Sequence, residues 1–270
     1  MSKFDVKDDL DAALFRTYNI FADLKFFLSF SKRALVAKNK VYKDKHSSER
    51  CFILGTGPSL ATLTVSQTLA LKNEIVFGTN SLYKAKIANS IYPTYYSLLD
   101  NLYWAECSQT FSDVAEHYSA CPPIFITDHR AIYLANRANN KSQHIAIHSS
   151  KYPVSTMSDK VDGNIFGAMN VVSYSILTAM YMGFNRIYLL GCDYNAFCSF
   201  GRGHAYDDAL ELKSVNYNLA FYLRFYWITT EFHYLISKLA KSKGIVVENL
   251  TAGSLLDAYN RKDLTSVIGS

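Results

Sequence analysis

The chain lacks the cysteine pattern of a stapled or zinc-bound protein. Its five cysteines, Cys51, Cys107, Cys121, Cys192 and Cys198, are odd in number and include no Cys-x-x-Cys pair. That argues against a disulfide framework and a structural zinc site, and it points to a reducing compartment. The opening Met-Ser-Lys-Phe-Asp-Val-Lys-Asp-Asp lacks the uninterrupted apolar core of a signal peptide. Charge is scarce in one place: no Lys, Arg, Asp or Glu occurs between Asp162 and Arg186. The same stretch holds Asn164, Asn170, Ser173, Ser175, Thr178 and several glycines, too much polarity for a membrane span of about 20 apolar residues, so it reads as a helix buried in the protein. Repeats and low-complexity tracts are absent. The formal charge of +5 is too small for a nucleic-acid footprint but compatible with an anionic ligand or membrane surface.

What is present is an ordinary globular composition, with 14% aromatic residues and length enough to bury a core. Residues 1–48 are helical in tendency and basic, with Lys25, Lys32, Arg33, Lys38, Lys40, Lys43 and Lys45 set around the apolar Phe26, Phe27, Leu28, Phe30, Leu35 and Val36. Two readings stay open: a basic amphipathic extension resting on anionic lipid, or a solvated helix packed on the main domain. The second domain is expected over 49–270.

From Arg50 onward, short β-rich runs alternate with helical ones, the pattern of a parallel sheet covered on both faces. Strands are expected at 51–54, 74–78, 94–99, 123–127, 144–148, 186–191 and 245–249, with helices at about 60–72, 81–90, 101–119, 129–139, 166–183 and 214–243. The fold class is therefore α/β, a doubly wound, mostly parallel seven-stranded sheet with an N-terminal helical extension. Ligands of such sheets bind beyond the carboxyl ends of the strands. The residues found there are Gly55-Thr56-Gly57-Pro58-Ser59, Thr79-Asn80, Asp100-Asn101, Asp128-His129, Ser149-Ser150 and Cys192-Asp193-Tyr194.

The Gly55 to Ser59 turn leaves a buried strand and enters a helix. Its glycines allow close backbone approach, and Ser59 can cap a helix whose free N–H groups attract phosphate. No Gly-Lys-Ser/Thr follows and a third glycine is missing, so it is neither a Walker loop nor a dinucleotide fingerprint.

Together, Gly55-Thr56-Gly57-Pro58-Ser59-Leu60, Thr79-Asn80, and Met182-Gly183-Phe184 leading into Ile187 to Tyr194 resemble the bacterial sialyltransferases of the Campylobacter lipooligosaccharide type. They also resemble the wider 6-hydroxymethylpterin diphosphokinase-like group, which includes flagellin glycosyltransferases. The likeness covers roughly residues 50–258 and implies a Rossmann-like nucleotide-sugar-binding domain. It assigns Gly55, Thr56, Gly57, Ser59 and Asn80 to a CMP-sugar donor. Asp100 stands where the family has Asn, and its carboxylate suits a sugar hydroxyl or a metal. Asp193 ends the matching strand beside the donor. Tyr194 and Tyr206 resemble the phenols that help the donor phosphate leave, with Arg202 as an added cation. His204, between Gly203 and Ala205, is the candidate general base on the acceptor hydroxyl, since histidine titrates near neutrality; a plain surface histidine is the alternative, and His129 is second choice. Asn170 reads as a donor contact or a helix cap, and Asn249 and Thr251 as base contacts or turn formers. The aromatic segment 216–243 reads as core or an oligomer face, with no site.

The implied activity is inverting, metal-independent transfer of sialic acid, another nonulosonic acid or a Kdo-like sugar from a CMP donor to a glycan or glycolipid precursor. No cofactor is expected, and the implied location is the inner face of a bacterial cytoplasmic membrane. Two alternatives remain. One is pyrophosphoryl transfer to a pterin, with magnesium held among Asp100, Asp128 and Asp193; the other is a non-catalytic nucleotide-binding envelope protein. A homo-oligomer is compatible with all three.

Overall fold

The computed structural model describes residues 3–139, 143–198, 203–206 and 218–268. Two helices, α1 (Lys3–Leu28) and α2 (Phe30–Ala37), precede β1 (Arg50–Leu54), α3 (Val65–Leu71), β2 (Ile75–Thr79) and β3 (Tyr95–Leu98). Next come α4 (Leu102–Ala105), α5 (Thr110–His117), β4 (Ile124–Asp128), α6 (Ile132–Ala138), β5 (Ile145–Lys151) and β6 (Asn164–Phe166). The chain ends with α7 (Val171–Tyr181), β7 (Arg186–Leu190), α8 (Leu219–Ser242), β8 (Val246–Asn249), β9 (Asn260–Arg261) and α9 (Thr265–Ile268).

The strands form one sheet in the order β6-β5-β4-β3-β2-β1-β7-β8-β9, and every pair in it is parallel. All seven expected strands are present. The two additional ones, β6 and β9, are edge strands of three and two residues, too short to carry an apolar period. The run 164–166, expected near the start of a helix, extends along β5 instead, and the helix begins at Val171. The helix expected over 81–90 is two 3₁₀ turns, Leu82–Lys84 and Lys86–Asn89. The one expected over 101–119 is broken between α4 and α5, where Cys107 N–H donates to the Leu102 carbonyl and closes the first piece.

Central strands read as unbroken apolar runs because both faces of a parallel sheet are covered. Side chains alternate along each strand, so Cys51, Ile53, Phe77, Tyr95, Ile126 and Leu189 point into one core, shared with α7 and α8. Phe52, Leu54, Val76, Tyr96, Leu98 and Leu190 point into the other, beneath the helices between β1 and β5. Where the ladders run out, threonine hydroxyls take over. Thr79 Oγ1 donates to the Leu54 carbonyl at 2.8 Å and Thr127 Oγ1 to that of Leu98 at 2.7 Å, which squares off the carboxyl ends of adjacent strands.

The uncharged α7 satisfies its polar groups internally: Ser175 and Thr178 bond back to the Val171 and Tyr174 carbonyls, and Ser97 and Ser175 hydroxyls meet at 2.8 Å between sheet and helix.

The N-terminal segment is stitched to the sheet. Asn19 brackets Tyr152, donating to its carbonyl at 2.9 Å and accepting its N–H at 2.7 Å. Phe15 stacks on Tyr152 and Phe26 on His148. Further along, Val36, Asn39 and Tyr42 are buried, with Tyr42 in the same core as β1 and β5. Residues 36–46 therefore pack as part of the α/β body, on the near side of the boundary expected at residue 48. The chain turns out of helix at Ser29, so residues 25–45 do not make one amphipathic helix.

Asn39 makes three bonds, donating to the Ala146 and Val161 carbonyls and accepting the Ala146 N–H. Asn39→Ala orphans all three partners and is expected to cost about 2–4 kcal/mol. Urea unfolding at unchanged slope measures it; a loss below about 0.5 kcal/mol would show that this segment does not contribute to the fold.

Candidate functional site

β1 sits at the switch point of the sheet, with the strands to one side running β2 to β6 and those to the other β7 to β9. A crevice at the carboxyl ends on such a point is the standing place for a ligand. Here it is a cavity of about 470 Å³ walled by the ends of β1, β2, β3 and β7, the start of α7, and Phe225, Tyr226 and His233 of α8.

Backbone strain gathers around it. Among the described residues five non-glycine residues have positive φ, and three of them, Asn80 (47°), Met169 (52°) and Tyr194 (58°), line the cavity. Such conformations cost of order 1–3 kcal/mol each and collect at functional sites. Asn80 adds a second sign. Its N–H donates to the Ser97 carbonyl and its carbonyl accepts the Tyr96 hydroxyl, while its buried Oδ1 meets no hydrogen-bonding partner among the described residues. A buried acceptor left unpaired by the protein is available to a donor from a ligand or a water.

The glycine-rich turn does something other than expected. Gly55 N–H donates to the Leu190 carbonyl and Gly57 N–H to that of Gly191, both at 2.8 Å. A Cβ on Gly55 would lie 2.4 Å from the Gly191 oxygen, and one on Gly57 only 1.8 Å from Asp193 Oδ2. Both glycines are there so that β7 can close on the turn. Ser59 does not cap through its own side chain and does not line the cavity; its N–H and hydroxyl donate to the Asp193 carboxylate at 3.2 and 2.7 Å. The anion at the head of the short 3₁₀ helix Pro58–Thr62 is thus the protein's own, in the place expected for phosphate.

Gly55, Thr56, Gly57, Asn80, Asp100, Asn170, Asp193, Tyr194 and His204 line the cavity together. The Thr56 carbonyl accepts the Ala205 N–H at 2.8 Å, which pins the His204 loop over the turn. Asp100 closes its own turn by accepting the Leu102 N–H. Asn170 caps α7 with its carboxamide oxygen, accepting the Val172 and Ser173 N–H groups, so its amide nitrogen is what it can offer a ligand. The Tyr194 hydroxyl is held by Thr229 on α8, and burial keeps this phenol above its ordinary range and hence protonated.

Three more expected residues stand elsewhere. Tyr206 is buried behind His204, the rings stacked at 5.1 Å. Asn249 and Thr251 tie a knot instead of meeting a base: Asn249 donates to Ser254 Oγ and the Leu256 carbonyl, Thr251 Oγ1 accepts the Cys192 N–H, and Ser254 donates to the Cys192 carbonyl. That knot fixes the chain beside Asp193. Arg202 lies outside the described residues.

His129, the second-choice base, is also off the cavity. It lies 3.2 Å from Asp128 and 3.3 Å from His148. Burial opposes ionisation of Asp128, but hydrogen bonds from His129 and Arg130 prevail and hold its carboxyl well below the usual range. Asp128 does not reach the cavity either. No three His, Cys, Asp or Glu side chains among the described residues gather closely enough to hold a metal ion.

Phe225, Tyr226 and His233 wall the cavity from the segment given no site. The most polar of the three is His233. It is buried, with Nε2 3.2 Å from Ser173 Oγ and Nδ1 2.9 Å from the Tyr259 hydroxyl, and burial drives it down to about 3, so it is neutral. Its only signal in the sequence is a histidine on an apolar helical face.

A polar strand-end cavity at the switch point of a doubly wound parallel sheet defines a Rossmann-like α/β protein with a candidate small-molecule site. Within that class the chain belongs to the family described as 6-hydroxymethylpterin diphosphokinase MptE-like, whose model matches residues 18–197. Among solved structures it is similar to the sialyltransferase CstII from Campylobacter jejuni in complex with a substrate analogue, cytidine-5'-monophosphate. Identity is 15%, over 80% of this chain and 85% of that one, at a TM-score of 0.46. A second structure of that sialyltransferase, with trisaccharide acceptor and CMP, matches at 15% identity, 78% and 85% coverage and a TM-score of 0.44. The MAf glycosyltransferase from Magnetospirillum magneticum AMB-1 matches at 13% identity and a TM-score of 0.47, over 87% of this chain but 39% of that protein. No curated protein matches the chain in sequence. Both groups named from the motifs are thus among its matches.

Gly57→Ala drives a methyl into the Asp193 carboxylate and is expected to destabilise by about 1–3 kcal/mol. Adding Asp193→Ala should recover part of that in thermal unfolding, since the carboxylate is the main obstruction; no recovery would place the obstruction elsewhere. Acid stability follows from the histidines. Burial, then the neighbouring charges of His129 and Lys32, lower His148 to about 4. Groups lowered on folding take up protons more readily in the unfolded chain, so their contribution is complete above about pH 6.5 and declines as pH falls toward 4. His148→Phe is expected to flatten stability over that window, and an unchanged profile refutes the assignment.

Proposed function

We propose that the protein is a glycosyltransferase that moves a sugar, a nonulosonic acid or Kdo-like residue, from a CMP-activated donor to a glycan or glycolipid precursor. The observation that carries this reading is the cavity itself, where strained Asn80 presents an unpaired acceptor among the carboxamides of Asn101, Asn170 and Asn195. Such a wall suits a hydroxyl-rich, amino-bearing ligand. Its described residues include the carboxylates of Asp100 and Asp193 and no lysine or arginine, so one phosphate meets less repulsion there than three.

In this reading His204 takes the proton of the acceptor hydroxyl, and the freed oxygen attacks the anomeric carbon with inversion as the bond to CMP breaks. Tyr206, stacked behind it, orients the imidazole. Tyr194 and Arg202 are assigned to the departing phosphate. Asp100 and Asp193 are assigned to donor hydroxyls, Asp193 preset by Ser59. No metal is required. The place of action is the inner face of the cytoplasmic membrane, where such precursors are glycosylated; none of the described helices is long and apolar enough to cross a membrane.

The second reading, magnesium-dependent pyrophosphoryl transfer, is favoured by the family's description. Asp100 and Asp193, which both line the cavity, would be the residues to hold the ion, since magnesium commonly takes one or two carboxylates with substrate phosphates. The ion would there neutralise charge on the transferring phosphates.

The two are separated by ligand and metal. CMP is expected to raise the melting temperature, and CMP-sugar turnover is expected to survive EDTA. His204→Ala is expected to lower turnover by about 10²–10⁴-fold with CMP affinity unchanged. Full turnover in that variant would remove His204 as base, and EDTA-sensitive consumption of ATP without any response to CMP would replace the reading by the second.

A further inference from the structure

α1 has two apolar faces. Phe15, Asn19, Ala22 and Phe26, spaced four, three and four apart, face the sheet, as their contacts with Tyr152 and His148 show. On the opposite side Leu10, Leu14, Thr17, Phe21, Leu24 and Leu28 are spaced four, three, four, three and four apart. That is the spacing of a coiled-coil seam. Its apolar members are all more than half exposed: Leu10 62%, Leu14 68%, Phe21 65%, Leu24 52% and Leu28 73%. A helix in contact with its own domain on one side has no intramolecular reason to carry a heptad stripe on the other, and a continuous apolar stripe about 27 Å long marks an interaction surface.

We propose that this face is a dimerisation seam in which α1 of two copies of the chain pair antiparallel about a two-fold axis near residue 19. The stripe is palindromic about that point. Antiparallel pairing sets Leu10 against the second copy's Leu28, Leu14 against its Leu24 and Thr17 against its Phe21, so the outer layers are leucine on leucine and in the two central ones the small Thr17, its hydroxyl turned back to the Ala13 carbonyl, faces the large Phe21. The flanking positions agree. Asp11 comes beside the second copy's Lys25 at both ends, while Tyr18 and Ile20 meet their own counterparts at the axis. An isologous contact of this kind closes on itself as a dimer. Parallel pairing instead stacks Phe21 on Phe21 and sets Lys25 beside Ile20, with no charge matched.

Charge also argues against an anionic lipid surface as the occupant. α1 holds four basic residues, Lys3, Lys7, Arg16 and Lys25, against five acidic ones, Asp5, Asp8, Asp9, Asp11 and Asp23. The basic excess of the N-terminal region lies beyond Leu28, in Lys32, Arg33, Lys38, Lys40, Lys43 and Lys45. The seam is independent of the reaction proposed for the cavity.

Sedimentation velocity of the full chain over a dilution series tests it. The wild type is expected to dimerise, and Leu14→Glu with Phe21→Glu to abolish dimerisation while circular dichroism stays unchanged. A gentler set reads the register. Asp11→Lys alone and Lys25→Asp alone should each weaken the dimer roughly tenfold, and the two together should restore it. Three results would overturn the proposal: a wild type that stays monomeric; a dimer indifferent to the seam substitutions, or not rescued by the double charge reversal; and a monomer that cosediments with phosphatidylglycerol vesicles through Leu14 and Phe21.

Discussion

The Asp193 carboxylate held by Ser59 is the contact on which the site depends. It joins the end of β7 to the turn after β1 across the switch point, the one place where the sheet's two halves meet. Gly57 exists to admit it, Gly55 to let the β7 backbone approach, and the Cys192–Thr251–Ser254 knot to hold its neighbours from the other side. With the strand ends tied so closely, the strain at Asn80, Met169 and Tyr194 can be sustained, because the surrounding hydrogen bonds over-determine those conformations.

This arrangement alters what a glycine-rich turn signifies. In many nucleotide-binding sheets the turn offers free amides to phosphate. Here the amides of Gly55, Gly57 and Ser59 are already engaged within the protein. What the cavity offers a ligand is therefore side chains from several strand ends and from the α8 wall.

Much of the architecture was legible because each central strand is a short apolar run ending in polar residues, and the doubly wound pattern follows from that alternation. The same logic put Asn80, Asp100, Asp193 and Tyr194 at strand ends, where they line the cavity. It could not separate Asn249 and Thr251 from ligand contacts, since a buried polar knot and a binding site draw on the same residue types. It passed over His233, whose role depends on which face of α8 turns toward β7. β6 and β9 are too short for any period. The burial of Val36, Asn39 and Tyr42 was hidden by the lysines between them, because composition averages over side chains that point opposite ways.

The insertion of Asn39 between residues far along the chain bears on how the protein is made. Its partners Ala146 and Val161 lie 107 and 122 residues later. At ordinary elongation speeds of about 5–20 residues per second, roughly six to twenty-four seconds pass before that segment can dock. Throughout this interval both apolar faces of α1 stay uncovered on the nascent chain, which makes this helix a natural client for chaperones.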